Sequence, residues 1–252
     1  MSVRYRRSDS GVWRAVVDRP EVRNAVNFEV MADLESLVDE VEADDEARVL
    51  TLRGAGDAFI SGGDLEVFAN LDDEEDVARM SKRMKRLLER IEALDCWTVA
   101  CVNGAAFGGG CEMALAFDFR VAADAARFGF VQAKLAIPPG WGGLTRLVRL
   151  VGRSQALWWL GTAATVGADE AARKGLVDEV APPRQFADYA DDVIKRLART
   201  SPQLTSTLKQ GASRAESEPY REAMRGELEP FVDLWGSEEH LESLAAFFES
   251  DD

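Results

Sequence analysis

Short apolar strands that run straight into glycine-rich segments, each followed by a helical pattern, constrain this chain more than any other feature. Trp97-Thr98-Val99-Ala100-Cys101-Val102 reads as a strand and passes directly into Asn103-Gly104, after which Gly108-Gly109-Gly110 opens a helix from about 110 to 117. Upstream, Arg48-Val49-Leu50-Thr51-Leu52 is a short buried strand followed by a loop holding Gly54, Gly56, Gly62 and Gly63. Val12–Val17 reads as a strand closed by Asp18-Arg19-Pro20, and apolar residues at helical spacing predict an amphipathic helix over 28–43. A charged helix is expected over 73–93, short strands at 120–122 and 127–129, and a rigid-then-flexible loop at 138–143 ahead of another helix. Strands alternating with helices predict an α/β architecture with parallel strands. From about 184 onward only helical patterns occur, over 184–199, 202–213, 219–234 and 238–249. The expected division is a core over 1–195 with a helical region over 196–252, with no repeat of fixed period.

A chain of 252 residues can bury a core without disulfide or metal. Cys96, Cys101 and Cys111 form no C-x-x-C pair, the one histidine, His240, excludes a Ser-His-Asp triad unless it serves, and the cysteine and histidine spacing offers no zinc site. The N-terminus, which includes Arg4, Arg6 and Arg7, lacks an apolar signal core, and no apolar run approaches the roughly 18 residues of a membrane span. The expectation is a soluble cytoplasmic protein. Its net charge of −15 opposes nucleic acid and anionic membrane. The basic run Lys82–Arg86 follows the acidic run Asp72–Asp76 and reads as a solvated helix face.

Glycines at strand-to-helix junctions free main-chain N–H groups to point at a ligand, and two such loops could aim two N–H groups at one oxygen. The competing reading is that these glycines only permit tight turns or close packing. Neither loop is a P-loop or a dinucleotide fingerprint. Glu112, on the first turn of the helix after Gly108, is a candidate acid/base or, equally, a residue complementing the helix N-terminus.

Phe59-x-Ser61-Gly62-x-Asp64-Leu65, Asn103-Gly104-x-x-x-Gly108-Gly109-Gly110-x-Glu112, Phe128-Gly129 and Ile137-Pro138-x-x-Trp141-Gly142-Gly143 resemble the crotonase, or enoyl-CoA hydratase/isomerase, family. Asp18-Arg19-Pro20-x-x-Arg23-Asn24-Ala25-Val26-Asn27 and Ala168-x-Glu170-Ala171-x-x-x-Gly175-Leu176-Val177-Asp178 agree, so that the resemblance covers roughly residues 12–250. It implies a spiral of ββα turns, a helical C-terminal region that builds trimers or hexamers, an acyl-CoA thioester substrate, and no metal or cofactor beyond the CoA of the substrate. It further implies that the N–H groups of Gly63 and Gly109 hold the thioester oxygen as it becomes an enolate, with Glu112 as acid/base. Arg23, Ala25, Ser61, Asp64, Gln132 and Trp141 are the implied substrate-binding positions; Arg23 suits the CoA phosphates, and Trp141 either walls the acyl pocket or packs the core.

One position departs from the family pattern. Hydratases carry a second glutamate in a Phe-Gly-x-x-Glu segment, where this chain has Phe128-Gly129-Phe130-Val131-Gln132. An amide holds a water but cannot take its proton, which speaks against ordinary hydration and against isomerases whose base stands near this position. Arg127-Phe128, the 137–143 segment and Leu234-Trp235-Gly236 resemble the ethylmalonyl-CoA decarboxylase branch, including methylmalonyl-CoA decarboxylases, whose chemistry needs the enolate and a single acid. A non-catalytic scaffold of the same fold is the reading from another class.

Only 6 lysines stand against 45 acidic residues, a balance suited to concentrated salt, which screens self-repulsion. Unfolding followed at low and at multimolar KCl is expected to show higher stability in salt. Equal stability in both would leave the composition a simple preference of the host for arginine.

Overall fold

The structure, a computed structural model, describes residues 1–71 and 73–249; Asp72 of the acidic run and residues 250–252 of the expected helical region lie outside them. The chain divides into two compact units, Met1–Arg199 and Thr200–Asp252. In the first, β1 (Val3–Arg7), β2 (Val12–Val17), α1 (Phe28–Glu42), β3 (Val49–Gly54), β4 (Ala58–Ile60), α2 (Leu65–Phe68) and α3 (Glu74–Ala93) come first. They are followed by β5 (Trp97–Val102), β6 (Ala105–Phe107), α4 (Gly109–Ala114), β7 (Phe119–Ala123), β8 (Arg127–Gly129), α5 (Gly143–Val151) and α6 (Arg153–Gly161). β9 (Thr165–Gly167), α7 (Ala168–Arg173), β10 (Glu179–Ala181) and α8 (Phe186–Leu197) complete it.

Two sheets organise this unit. One has the order β1-β2-β3-β5-β7-β10 and the other β4-β6-β8-β9. β3, β5 and β7 lie in the first sheet, and each is followed by a strand of the second sheet and then by helix. The result is a ββα turn repeated three times. The repeat escapes a search for fixed sequence period because the turns differ in length. Central strands of the large sheet are buried on both faces, as the Val-, Leu- and Ala-rich runs of β3 and β5 require. One face packs against α1, α3 and α4 around Met31, Leu34, Met84 and Leu87; the other, with Val12, Val49, Val99 and Val121, packs against Ala190, Val193 and Ile194 of α8.

The strands at 12–17, 97–102 and 127–129 match the sequence expectation, and helices α1 and α3 fall within a residue of it. β1, β4, β6, β9 and β10 are additional. Four of them have three residues, too few for periodicity to register, and all depend on partners brought by the chain reversal. The helix expected over 110–117 ends at Ala114, and Asp118, just before β7, is instead tied to β5: its carboxylate accepts from the N–H and hydroxyl of Thr98 at 2.8 and 2.9 Å. The basic residues of α3 meet acids of α1 instead of standing free: Arg83 with Glu35 at 2.7 Å, and Arg90 with Asp39 and Glu42 at 2.6 and 2.7 Å.

The second unit contains α9 (Pro202–Ser217), α10 (Tyr220–Arg225), α11 (Leu228–Leu234) and α12 (Glu238–Glu249). The helix expected over 219–234 is broken at Gly226, whose carbonyl accepts from Arg214. Leu208, Met224, Leu228, Phe231 and Trp235 are exposed on these helices. Among the described residues, no helix is long and apolar enough to cross a membrane.

Two asparagines hold the loop that carries the chain into β4. Asn24, fully buried at φ 59°, accepts from the Arg19 N–H and donates to the carbonyls of Ala55 and Ala58. Asn103 accepts from the Gly54 N–H and donates to Gly56 and Ala58. Replacing Asn24 by Ala strands the Arg19 N–H and the Ala55 carbonyl and puts in a left-handed conformation a residue that tolerates it less well than asparagine. Asn24→Ala is expected to lower stability by about 2–4 kcal/mol in urea unfolding; a loss below half of that would mean water reaches both groups.

Candidate active site

The glycines after β4 and before α4 meet. Gly62 takes φ 115°, a conformation that favours glycine, and turns the chain so that its carbonyl accepts from Val26 N–H at 2.8 Å, while Asp64 N–H donates to the Val26 carbonyl at 2.9 Å. This short parallel bridge leaves the Gly63 N–H facing away from Val26. Gly109 begins α4, where no preceding turn supplies an acceptor. Among the described residues neither N–H has a hydrogen-bond partner. The two loops are adjacent: the Gly109 nitrogen lies 3.4 Å from where a Cβ on Gly62 would stand.

Trp141 covers both glycines. A Cβ at Gly109 would overlap its six-membered ring, and a Cβ at Gly63 would stand 3.5 Å from Cζ2 of the same ring. The side chain is 5% exposed and its Nε1–H donates to Met80 Sδ at 3.4 Å. Of the two sequence expectations for Trp141, wall or core, the structure places it at the border: packed like a core residue, yet directly against Gly63 and Gly109.

Glu112, 3% exposed, is the hub of the site. Its Oε2 accepts from the N–H groups of Trp141 and Gly143 at 2.7 and 2.8 Å, and its Oε1 from Gly140 N–H and Gln132 Nε2, each at 3.2 Å. Glu112 thus clasps the 140–143 loop and sets the position of the indole. Gln132, 6% exposed, is carried by the 3-10 turn Val131–Leu135, anchored by Phe130 stacked on Trp159 at 5.5 Å between centroids. The carboxylate only accepts, so it fixes the amide with Nε2 inward, and the Gln132 Oε1 has no donor among the described residues. Burial pushes the Glu112 pKa up; the hydrogen bonds from Gly143, Trp141, Gln132 and Gly140 pull it back without cancelling the rise.

The remaining candidates divide. Ala25 is buried and its carbonyl accepts from Arg19 at 2.6 Å. Asp64 caps α2, accepting from Val67 N–H, and pairs with Arg19 at 3.0 Å. The Ser61 hydroxyl donates to the Val22 carbonyl at 3.2 Å. Arg23 is exposed, at φ 51°, without a carboxylate partner among the described residues. Sequence reasoning missed Arg19, which joins the 18–25 segment to Asp64; only its place within the Asp-Arg-Pro motif marked it. Cys111 is a buried packing residue whose thiol donates to the Ala106 carbonyl. Among the described residues no group of three metal-ligating side chains assembles.

With its folded pKa above the free-chain value of 4.5, Glu112 contributes most to stability below that pH, and the contribution falls as pH rises through the raised value. Relative to Glu112→Gln, the wild type is therefore expected to lose stability between pH 4.5 and pH 7.5 in urea unfolding. A gap that stays constant over this window would mean that the four donors offset the burial completely.

Residues 7–252 match the family model described as enoyl-CoA hydratase/isomerase. The chain is 34% identical over 236 residues to a crotonyl-CoA hydratase of Syntrophomonas wolfei subsp. wolfei, covering 92% of this chain and 90% of that protein. It is 31% identical over 247 residues to an ethylmalonyl-CoA decarboxylase of Bos taurus, covering 97% and 81%. The crystal structure of an enoyl-CoA hydratase from Bacillus anthracis superposes with a TM-score of 0.94 at 29% identity, covering 99% of this chain and 97% of that one. With the ββα spiral, the paired glycine loops and Glu112 in the positions the motifs indicated, the chain belongs to the enoyl-CoA hydratase/isomerase, or crotonase, family.

Proposed function

We propose that the protein processes acyl-CoA thioesters through an enolate, with the thioester oxygen held between the N–H groups of Gly63 and Gly109 and Glu112 serving as acid/base. The observation that carries this reading is that Gly63 and Gly109, from separate loops and each with an unpartnered main-chain N–H, lie under one indole whose own backbone N–H is held by the buried Glu112. Negative charge growing on the oxygen meets two preset donors, and one such donor is worth about 3 kcal/mol of transition-state stabilisation. Burial raises the Glu112 pKa above that of a free carboxyl, the direction that favours a general acid/base. Trp141 over both glycines suits a short acyl group, and the exposed Arg23 suits the CoA phosphates. CoA enters as part of the substrate, and the reaction as proposed draws on no further cofactor. The exposed apolar residues of α9–α11 suit assembly into homotrimers or hexamers, and the acidic surface suits a cytoplasmic protein that avoids nucleic acid and membrane.

A second reading is decarboxylation of a malonyl-type thioester, favoured by Gln132 where hydratases place a second carboxylate. There the bond from Cα to the carboxylate breaks, its electron pair passes into the enolate, CO₂ leaves, and Glu112 or water returns a proton to Cα. The bovine decarboxylase relative supports it.

Crotonyl-CoA hydration and CO₂ release from ethylmalonyl-CoA and methylmalonyl-CoA, assayed side by side, test both readings. Hydration is expected to be slow and to rise about a hundredfold in Gln132→Glu, the usual scale for a positioned acid/base. Fast hydration by the unmodified chain would overturn the second-carboxylate argument, and CO₂ release would establish the decarboxylase reading. A calorimetric titration with CoA that shows no heat, together with inactivity in every assay, would leave a scaffold.

A further inference from the structure

The face of the large sheet that packs on α8 carries a second feature, remote from Glu112. Alternation along the strands puts Arg4 and Arg6 of β1, Arg14 of β2, and Arg53 of β3 on that face. The register sets Arg6 directly opposite Arg14 and Arg53 beside Val16, which itself faces Arg4. Together with the flank of α8 they line a cavity of about 460 Å³ that is open to solvent on one side, within the range of small-molecule sites.

Its charge is contrary to that of the chain. Four arginines line the cavity against one carboxylate, Asp191, in a protein of net charge −15. Asp191 pairs with Arg14 at 3.0 Å, and Arg4 reaches Asp18 at 2.8 Å. Among the described residues neither Arg6 nor Arg53 meets a carboxylate. Elsewhere in the same unit arginines find acids readily, as Arg83 does with Glu35 and Arg146 with Glu92. Like charges placed directly opposite on adjacent strands disfavour a sheet, and a single carboxylate, Asp191, answers the Arg6–Arg14 pair. The floor adds no negative charge: burial pushes the Cys101 thiol up to about 12, which keeps it neutral.

We propose that this cavity binds a small multivalent oxyanion of the phosphate class, held by the guanidinium groups of Arg6, Arg14 and Arg53. The planar guanidinium fork matches phosphate oxygens two at a time, and an anion between Arg6 and Arg14 removes their repulsion. A concave site flanked by Asp191 in a strongly acidic chain suits a compact anion and not a long polyanion.

The test is isothermal titration of inorganic pyrophosphate, and in a parallel arm ADP, into the intact chain at low ionic strength. Saturable binding at one site is expected, weakened about tenfold by Arg6→Ala and by Arg53→Ala, with Arg221→Ala, which removes the same charge elsewhere, leaving it unchanged. ADP binding more tightly than pyrophosphate, with the same dependence on Arg6 and Arg53, would identify the phosphate as that of a nucleotide; the reverse order would identify a free inorganic anion. Non-saturable binding, or equal weakening by Arg221→Ala, would overturn the proposal. So would a change of sedimentation on Arg6→Ala or Arg53→Ala without loss of anion binding, which would make this face a contact between copies of the chain. None of these readouts depends on acyl-CoA activity.

Discussion

A single carboxylate, taken out of water and held by three main-chain N–H groups of one loop, organises the site. Glu112 leaves the first turn of α4 and captures Gly140, Trp141 and Gly143. That capture ties the ββα turn containing β5 and β6 to the start of α5, and it fixes the indole over Gly63 and Gly109. A buried anion of this kind is costly unless fully paired, and four donors answer the cost. The tension between burial and pairing is also what keeps its pKa raised.

The charge distribution has its own logic. With 45 acids against 30 bases, arginines serve mainly to pin helices and loops through ion pairs, between α1 and α3 and between Arg19 and Asp64. Arg120 shows the buried version: its guanidinium meets Asp178 at 2.8 Å and the carbonyls of Phe117 and Leu176. Against this background Arg6 and Arg53 beneath α8 stand out: acids are abundant, yet the cavity they line holds only Asp191, which pairs with Arg14.

Much of the core was legible in the residues. The apolar runs of β2, β3 and β5 and the spaced apolar positions of α1 and α3 are long enough for periodicity to speak. The three-residue strands β4, β6, β8 and β9 form the second sheet only because successive turns of the spiral stack them; of these only β8 left a readable trace, next to Phe128-Gly129. The site divides the same way. The two glycine loops and Glu112 stood out by type and position, and the family resemblance singled out Gly63 and Gly109 within them, whereas the hydrogen bonds of Asn24, the Arg19–Asp64 pair and the orphaned Gln132 oxygen depend on which segments fold against each other.

By itself the sequence determined the alternation of strand and helix, the glycine junctions and the acidic balance, since each is a local property of residue type and spacing; that Gln132 stands where hydratases carry a glutamate came from the family resemblance. Tertiary structure alone decided that the two glycine loops converge, that Trp141 roofs them, that Glu112 spends all its acceptor capacity on one loop and the Gln132 amide, and that four arginines share one sheet face. These are relations between residues far apart along the chain, and they exist only once buried apolar surface has brought the strands into register.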